Sequence, residues 1–181
     1  MPDPSTRQPT LADGVVIVRP WRLTDAGWVC DICQDPEVQR WTTVPTPYTR
    51  RDAEHFVGEL APATWAEGSA AHFAVTDAAG GSGLGAVGLV AIDRRTRTGA
   101  IGYHLGPAAR GRGAATRSVL LVAGWAWTSL GLERLEVHID PRNAASIRVA
   151  ERAGAVLERH LERGTDPRAE RHDTLVFVLA P

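Results

Sequence analysis

Apolar residues along the chain fall into two rhythms, one of period two and one of period three to four, which alternate from end to end. "GVVIVRPW" (14–21) is a near-continuous apolar run and predicts a first strand. Thr24 is a helix cap for a helix reaching Gln34. "DPEVQRWTTVPTPY" (35–48), rich in proline and aromatic residues, follows neither rhythm and reads as a loop. Thr49 and Asp52 stand at capping-box spacing ahead of a second helix, "RRDAEHFVGEL" (50–60). "AHFAVTDA" (71–78) and "GAVGLVAID" (85–93), joined by a glycine-rich turn, predict a hairpin, and "GAIGYHLG" (99–106) a fourth strand. A long helix follows over "AATRSVLLVAGWAWTSLG" (114–131), closed by Gly131. "LERLEVHID" (132–140) is a fifth strand, with Glu136, His138 and Asp140 on one face and Leu135, Val137 and Ile139 on the other. Asn143 caps a last helix, "AASIRVAERAG" (144–154), and "DTLVFVLA" (173–180) is the closing strand.

Strands and helices interleaved this way give a mixed α/β domain, one in number for 181 residues of 44% hydrophobic content, spanning 14–181. Residues 1–13, polar and proline-rich, read as a flexible N-terminal arm without the apolar stretch of a secretory signal. No apolar run is long enough to span a membrane, so the expected setting is the cytoplasm. Every basic side chain other than histidine is arginine, which removes Schiff-base chemistry and any lysine-dependent phosphate loop. A net charge of −1 speaks against general nucleic-acid binding. Charge is nevertheless uneven: the stretch from Arg94 to Arg117 holds six arginines and no acid after Asp93, a place suited to a multiply charged anion. Cys30 and Cys33 form a C-x-x-C pair with no second pair to complete a zinc site, so they are expected to pack as thiols and no metal is expected.

Chemistry concentrates where the fourth strand meets the long helix, in "IGYHLGPAARGRGAATRSVLL". The first amides of a helix have no internal partner, Gly111 and Gly113 let a bulky group approach the backbone, and Arg110, Arg112 and Arg117 add positive charge. This is the make-up of a pyrophosphate cradle. It is not a P-loop, because the Gly-Lys-Ser/Thr ending is missing, nor a dinucleotide fingerprint, because Thr116 stands at the third glycine position.

Two spaced signatures give the cradle a context. Arg110, Gly113 and Ala115 fit Gln/Arg-x-x-Gly-x-Gly/Ala, and "DPRNAASIRVAERAGA" presents Asn143, Ser146, Glu151 and Gly154 as Asn-x-x-Ser followed by Glu-x-x-Gly. In both, and in the strands around them, the chain resembles the GNAT superfamily of acyl-CoA-dependent N-acyltransferases, in particular its RimJ/RimL type, over about residues 15–179. The resemblance implies an α/β (α+β) GNAT fold: a mixed, mostly antiparallel central sheet flanked by helices, with the fourth and fifth strands splayed apart. It implies acetyl-CoA as acyl donor, its pantetheine arm along the backbone of Tyr103, His104 and Leu105. The pyrophosphate is then expected on Arg110, Gly111, Arg112, Gly113, Ala114, Ala115 and Thr116, with Asn143 and Ser146 beside the cofactor.

Carried over residue by residue, Ser146 is the acid for the departing thiolate, and an amide near His104 or Leu105 the oxyanion donor. RimJ/RimL-type sequences often hold a glutamate just before Ile-Gly-Tyr; Ala100 stands there, so the base is left among His138, His104, Glu136 and a water chain. Trp41 and Tyr48, from the variable front half, are expected to line the acceptor pocket. The acceptor is an amine, either a protein N-terminal α-amine or one on a small molecule or antibiotic; a longer acyl donor, or acyl-CoA binding without turnover, stays open. The expected assembly is a monomer or homodimer, with no nucleic-acid or membrane partner.

Overall fold

A computed structural model describes residues 7–165 and 171–181. Eight strands form one sheet: β1 (Leu11–Ala12), β2 (Val16–Pro20), β3 (Ala71–Asp77), β4 (Gly83–Asp93), β5 (Thr98–Leu105), β6 (Arg134–Ile139), β7 (Val156–Thr165) and β8 (Arg171–Leu179). Their order across the sheet is β1-β2-β3-β4-β5-β6-β8-β7. Every neighbouring pair is antiparallel except β5 with β6, which are parallel. The expected fourth and fifth strands are thus β5 and β6, and the mostly antiparallel sheet is as the resemblance implied.

That parallel contact is short. Thr98, Gly99 and Ala100 pair with Arg134, Leu135 and Glu136, and no pairing continues beyond Ala100 although β5 runs on to Leu105. Parallel strands need a long crossover, and here it is helix α5 (Ala114–Leu130), which packs Val119, Val122, Ala123 and Ala126 against Phe73, Leu89, Leu135 and Val137 of the sheet. Those residues have essentially no exposed surface. With α5 held to the sheet by its buried stripe, its N-terminus stops at the end of β5 and beside the opening.

The front half builds a second apolar cluster. Helix α1 (Ala26–Cys33) contributes Ala26, Val29 and Cys33, α2 (Pro36–Trp41) Val38, and α3 (Arg50–His55) Ala53. Thr24 does not cap α1. It lies in a 3-10 turn over Leu23–Asp25 that runs straight into the helix, and Asp25 turns back to the Arg22 amide. Asp25 also takes two bonds from Arg19, at 2.7 and 2.8 Å, and one from the Trp28 indole, so this buried carboxylate ties β2 to α1.

The second predicted helix is longer than its pattern suggested. The Thr49–Asp52 capping box is formed, but α3 passes through a π segment (Phe56–Leu60) into α4 (Ala61–Glu67), ended by Gly68 in the left-handed region. The wider π turn leads into Pro62 in the first turn of α4. Helix α6 (Ala144–Arg152) begins at Asn143, whose side chain accepts from the Ser146 amide at 3.0 Å. The arm expected over 1–13 is not loose from Gln8 onward: Gln8 donates to His72 O, Leu11 and Ala12 pair with β2, and Asp13 pairs with Arg117. Residues 1–6 of the arm lie outside the described residues.

Candidate active site

Where β5 and β6 part, a cavity of about 590 Å³ passes between them. One mouth is the turn from β5 into α5. Gly111 and Gly113 both have φ +77°, and a Cβ built on either meets nothing within 4 Å, so open space lies in front of this backbone. Gly113 is the cap residue of α5 and offers no side chain to the first turn. The amides of Ala114, Ala115 and Thr116 have no acceptor among the described residues, and all three residues line the cavity. An anion with several oxygens fits such a row of free amides at the positive end of a 17-residue helix.

Charge around this mouth differs from the sequence expectation. Arg110 donates to Leu105 O and is ion-paired with Asp35, and Arg117 is spent on Asp13 at 2.8 Å. Arg112 is exposed and off the cavity wall. Arg148 and Arg152 of α6, which the sequence reading missed, line the cavity and have no ion pair among the described residues. Their spacing of four along α6 was the available signal; only the fold brings that face to the cavity.

The other mouth is aromatic. Trp21, Trp41, Phe56 and His72 line it, with Trp21 and Phe56 5.6 Å apart and Phe56 and His72 5.5 Å apart, centroid to centroid. His72, Gly88 and Gly102 form one row across β3, β4 and β5, and all three line the cavity. Trp41 lies here as expected, its indole donating to Glu37 at 2.8 Å and Arg40 stacked at 4.4 Å. Tyr48 does not. It is 6% exposed among Val29, Cys33 and Val57, away from the cavity, where it supports the helices that carry Trp41. A turn-flanking aromatic gives no local sign of which way it will pack, and the nearby apolar faces of α1 and α3 take it.

A family profile described as "Acetyltransferase (GNAT) domain" matches residues 16–156. The chain belongs to the GNAT acetyltransferases. It is 31% identical over 144 residues to the uncharacterized N-acetyltransferase p20 of Bacillus licheniformis, covering 77% of this chain and 78% of that one. Two solved structures share the fold. RimJ of Mycobacterium smegmatis, solved with CoA-disulfide, has TM-score 0.86 at 21% identity, covering 96% of this chain and 88% of its own. A RimL ribosomal-protein acetyltransferase, solved with coenzyme A, has TM-score 0.85 at 16% identity, covering 95% and 98%.

As a GNAT enzyme, the chain is an acyl-CoA-dependent N-acetyltransferase, and its ionisable groups sort accordingly. Tyr103, His104 and Leu105 border the gap, and Asn143 and Ser146 face them from the start of α6, all lining the cavity. His138 lines it too and is half-exposed, its Nε2 2.7 Å from Glu136 Oε2. Glu136 also accepts from Arg134 and Arg159, both at 2.9 Å. Burial pushes the Glu136 carboxyl up, but the bonds from His138 and Arg134 outweigh it and hold it below the usual range. It is a firm anion and a weak proton acceptor.

His104 is a different case from His138. Burial, with the Arg110 cation adding to it, pushes its imidazole down to about 4. His104, one of the candidate bases, therefore carries a neutral ring across the neutral range and is the weaker proton acceptor for it. His72 is likewise pushed down by burial. Cys33 is buried in the helical cluster, its thiol pushed up to about 12, so it packs as an apolar residue. Among the described residues, no group of three His, Cys, Asp or Glu side chains is gathered to hold a metal ion, and no helix is long and apolar enough to cross a membrane.

Proposed function

We propose that this chain moves an acetyl group from acetyl-CoA to a primary amine that enters by the aromatic mouth. The observation that carries the reading is the single cavity joining the open amides of α5 to the wall of Trp21, Trp41 and Phe56 through the gap between β5 and β6. The amides of Ala114, Ala115 and Thr116, with Arg148 and Arg152 nearby, suit the phosphates, and the β5 edge from Ile101 to Leu105, unpaired on its β6 side, suits the amide-bearing pantetheine. Acetyl-CoA supplies an activated acyl carbon that a neutral amine attacks directly.

In this reading His138 receives the amine's proton, oriented by Glu136, and Ser146 serves the departing sulfur. The register supports Glu136 in that part: it pairs with Ala100, so it stands one strand over, on the same face, from the position where RimJ/RimL-type sequences often carry a glutamate. The cavity holds aromatic rings, two histidines with lowered pKa and two carboxylates, Glu37 bonded to Trp41 and Asp140 paired with Arg142. That chemistry favours an amine whose nitrogen is flanked by apolar or aromatic groups over a polyamine, which a row of carboxylates would hold. A protein N-terminal α-amine followed by an apolar residue is the first acceptor to offer.

The test is thiol release from acetyl-CoA across peptides of varied first residue, polyamines and amino sugars. Turnover on apolar α-amines above polyamines supports the reading. CoA binding with no thiol release from any amine replaces it with an acyl-CoA-binding module.

A further inference from the structure

The Tyr103 side chain reaches from β5 across the gap to α6. Its hydroxyl is 2.8 Å from Ser146 Oγ and 3.0 Å from the Ser146 carbonyl oxygen, and its ring lines the cavity. A phenol carries one hydrogen, and both of these oxygens accept it. Two arrangements therefore share the same heavy-atom positions. In one, Tyr103 donates to the carbonyl and Ser146 donates its own hydrogen to the phenol oxygen. In the other, Tyr103 donates to Oγ and the serine hydrogen is free for a third atom. Only two hydroxyl rotations separate them. The frame is fixed, since Asn143 holds the Ser146 amide at 3.0 Å.

We propose that Tyr103 is the proton relay behind Ser146, resupplying the serine as it protonates the leaving sulfur. The inference rests on the acetyl-transfer reading above. The amine lone pair forms the new C–N bond at the thioester carbonyl carbon, and the tetrahedral centre collapses as the C–S bond breaks, its electron pair staying on sulfur. Sulfur takes the Ser146 hydroxyl proton while Ser146 Oγ takes the Tyr103 proton. The phenolate regains a proton from water, which balances the proton the amine released.

The magnitudes favour two hydroxyls over one. A thiol ionises near pH 8.5 and a phenol near 10, whereas a serine hydroxyl lies far above both. A lone serine would be left as an alkoxide in a half-buried gap; passing the deficit to a phenol brings donor and acceptor to within a few units. Burial raises the Tyr103 pKa, partly offset by the Ser146 bond, so the relay is fully protonated when each turnover begins.

Tyr103→Phe keeps the ring and removes only the hydroxyl. With an amine that the unchanged protein acetylates, kcat should fall about 10- to 100-fold with CoA affinity within about twofold of the parent. The Tyr103→Phe/Ser146→Ala pair should be no slower than Ser146→Ala alone, since both act in one transfer. An acetyl thioester of a nitro-substituted thiophenol, whose sulfur leaves without help, should erase most of the Tyr103→Phe loss. A tie that merely fastens β5 to α6 would not respond to the leaving group.

The chain has two tyrosines, and Tyr48 is buried off the cavity, so biosynthetic 3-fluorotyrosine gives a second probe that preserves the fold. Its more acidic phenol should raise turnover with acetyl-CoA and leave the nitrothiophenol ester unaffected. Parent-like turnover of Tyr103→Phe, multiplying losses in the pair, or equal losses with both thioesters would each overturn the relay and leave the acetyl-transfer reading standing. Absence of thiol release from the unchanged protein removes both.

Discussion

Ser146 is gripped from two directions, its amide by Asn143 three residues back and its hydroxyl by Tyr103 on strand β5. The first grip was legible in the sequence, because a cap and the amide it satisfies lie within one turn. The second was not, because the partners are 43 residues apart and nothing in either segment names the other. Ser146→Ala should lower kcat by about 10- to 100-fold and leave CoA binding unchanged; a parent-like kcat would reduce the serine to part of the helix cap. The two histidines of the gap should separate in kinetics. His138→Ala is expected to lower kcat by about 10- to 100-fold. His104→Asn should leave the kcat/KM profile between about pH 6 and 7 unchanged, since a ring pushed down to about 4 is already neutral there. A parent-like kcat in His138→Ala would assign the proton to water.

At the scale of elements, what could be read was whatever a local rule decides. The capping box at Thr49, the Gly131 stop and the alternation of β6 all appear as the pattern dictates. Helix α2 was within reach, since Asp35, Pro36 and Glu37 form a proper helix start, but its six residues are too few to show a period. Strand β7 was missed because it lies at the sheet edge, with Val156 and Leu157 exposed and two register shifts against β8 breaking the alternation. The turn before α5 is decided by backbone rather than by space. Gly113→Val puts a branched residue at φ +77°, a strain of about 1–2 kcal/mol with room for the side chain itself. The variant should fold with a modestly lowered Tm and lose CoA binding by at least about tenfold, as the side chain fills the space before the α5 amides. Unchanged CoA affinity in a calorimetric titration would place the phosphates elsewhere.

For the molecule as a whole, acid should act in two stages. His104 is held at about 4 against an ordinary 6.5, and His72 is lowered in the same direction, both by burial. The unfolded chain takes up protons in that interval that the fold refuses, so stability is complete above about pH 6.5 and declines as pH falls toward 4. Carboxylates held below their ordinary range, Asp25 and Glu136 among them, carry the second stage, and Asp13 shows its span. Burial pushes its carboxyl up, but bonds from the Val16 amide and Arg117 hold it at about 2 against 3.8, so its contribution disappears between those values. Thermal melts without ligand should show Tm falling already between pH 6 and 4.5; a flat Tm down to pH 4.5 would mean the two histidines accept protons in the folded state. The sheet order and the parting of two strands were readable only through likeness to a family, since the gap is where pairing stops at Ala100 and no residue there announces it.

One carboxylate reaches both mouths of the cavity. Asp35 accepts from the Val38 amide to begin α2, the helix that carries Trp41, and it also holds Arg110 beside the phosphate-facing turn. The turn before α5 and the helix that carries Trp41 are thereby joined through one carboxylate, so that neither end of the cavity is built independently of the other.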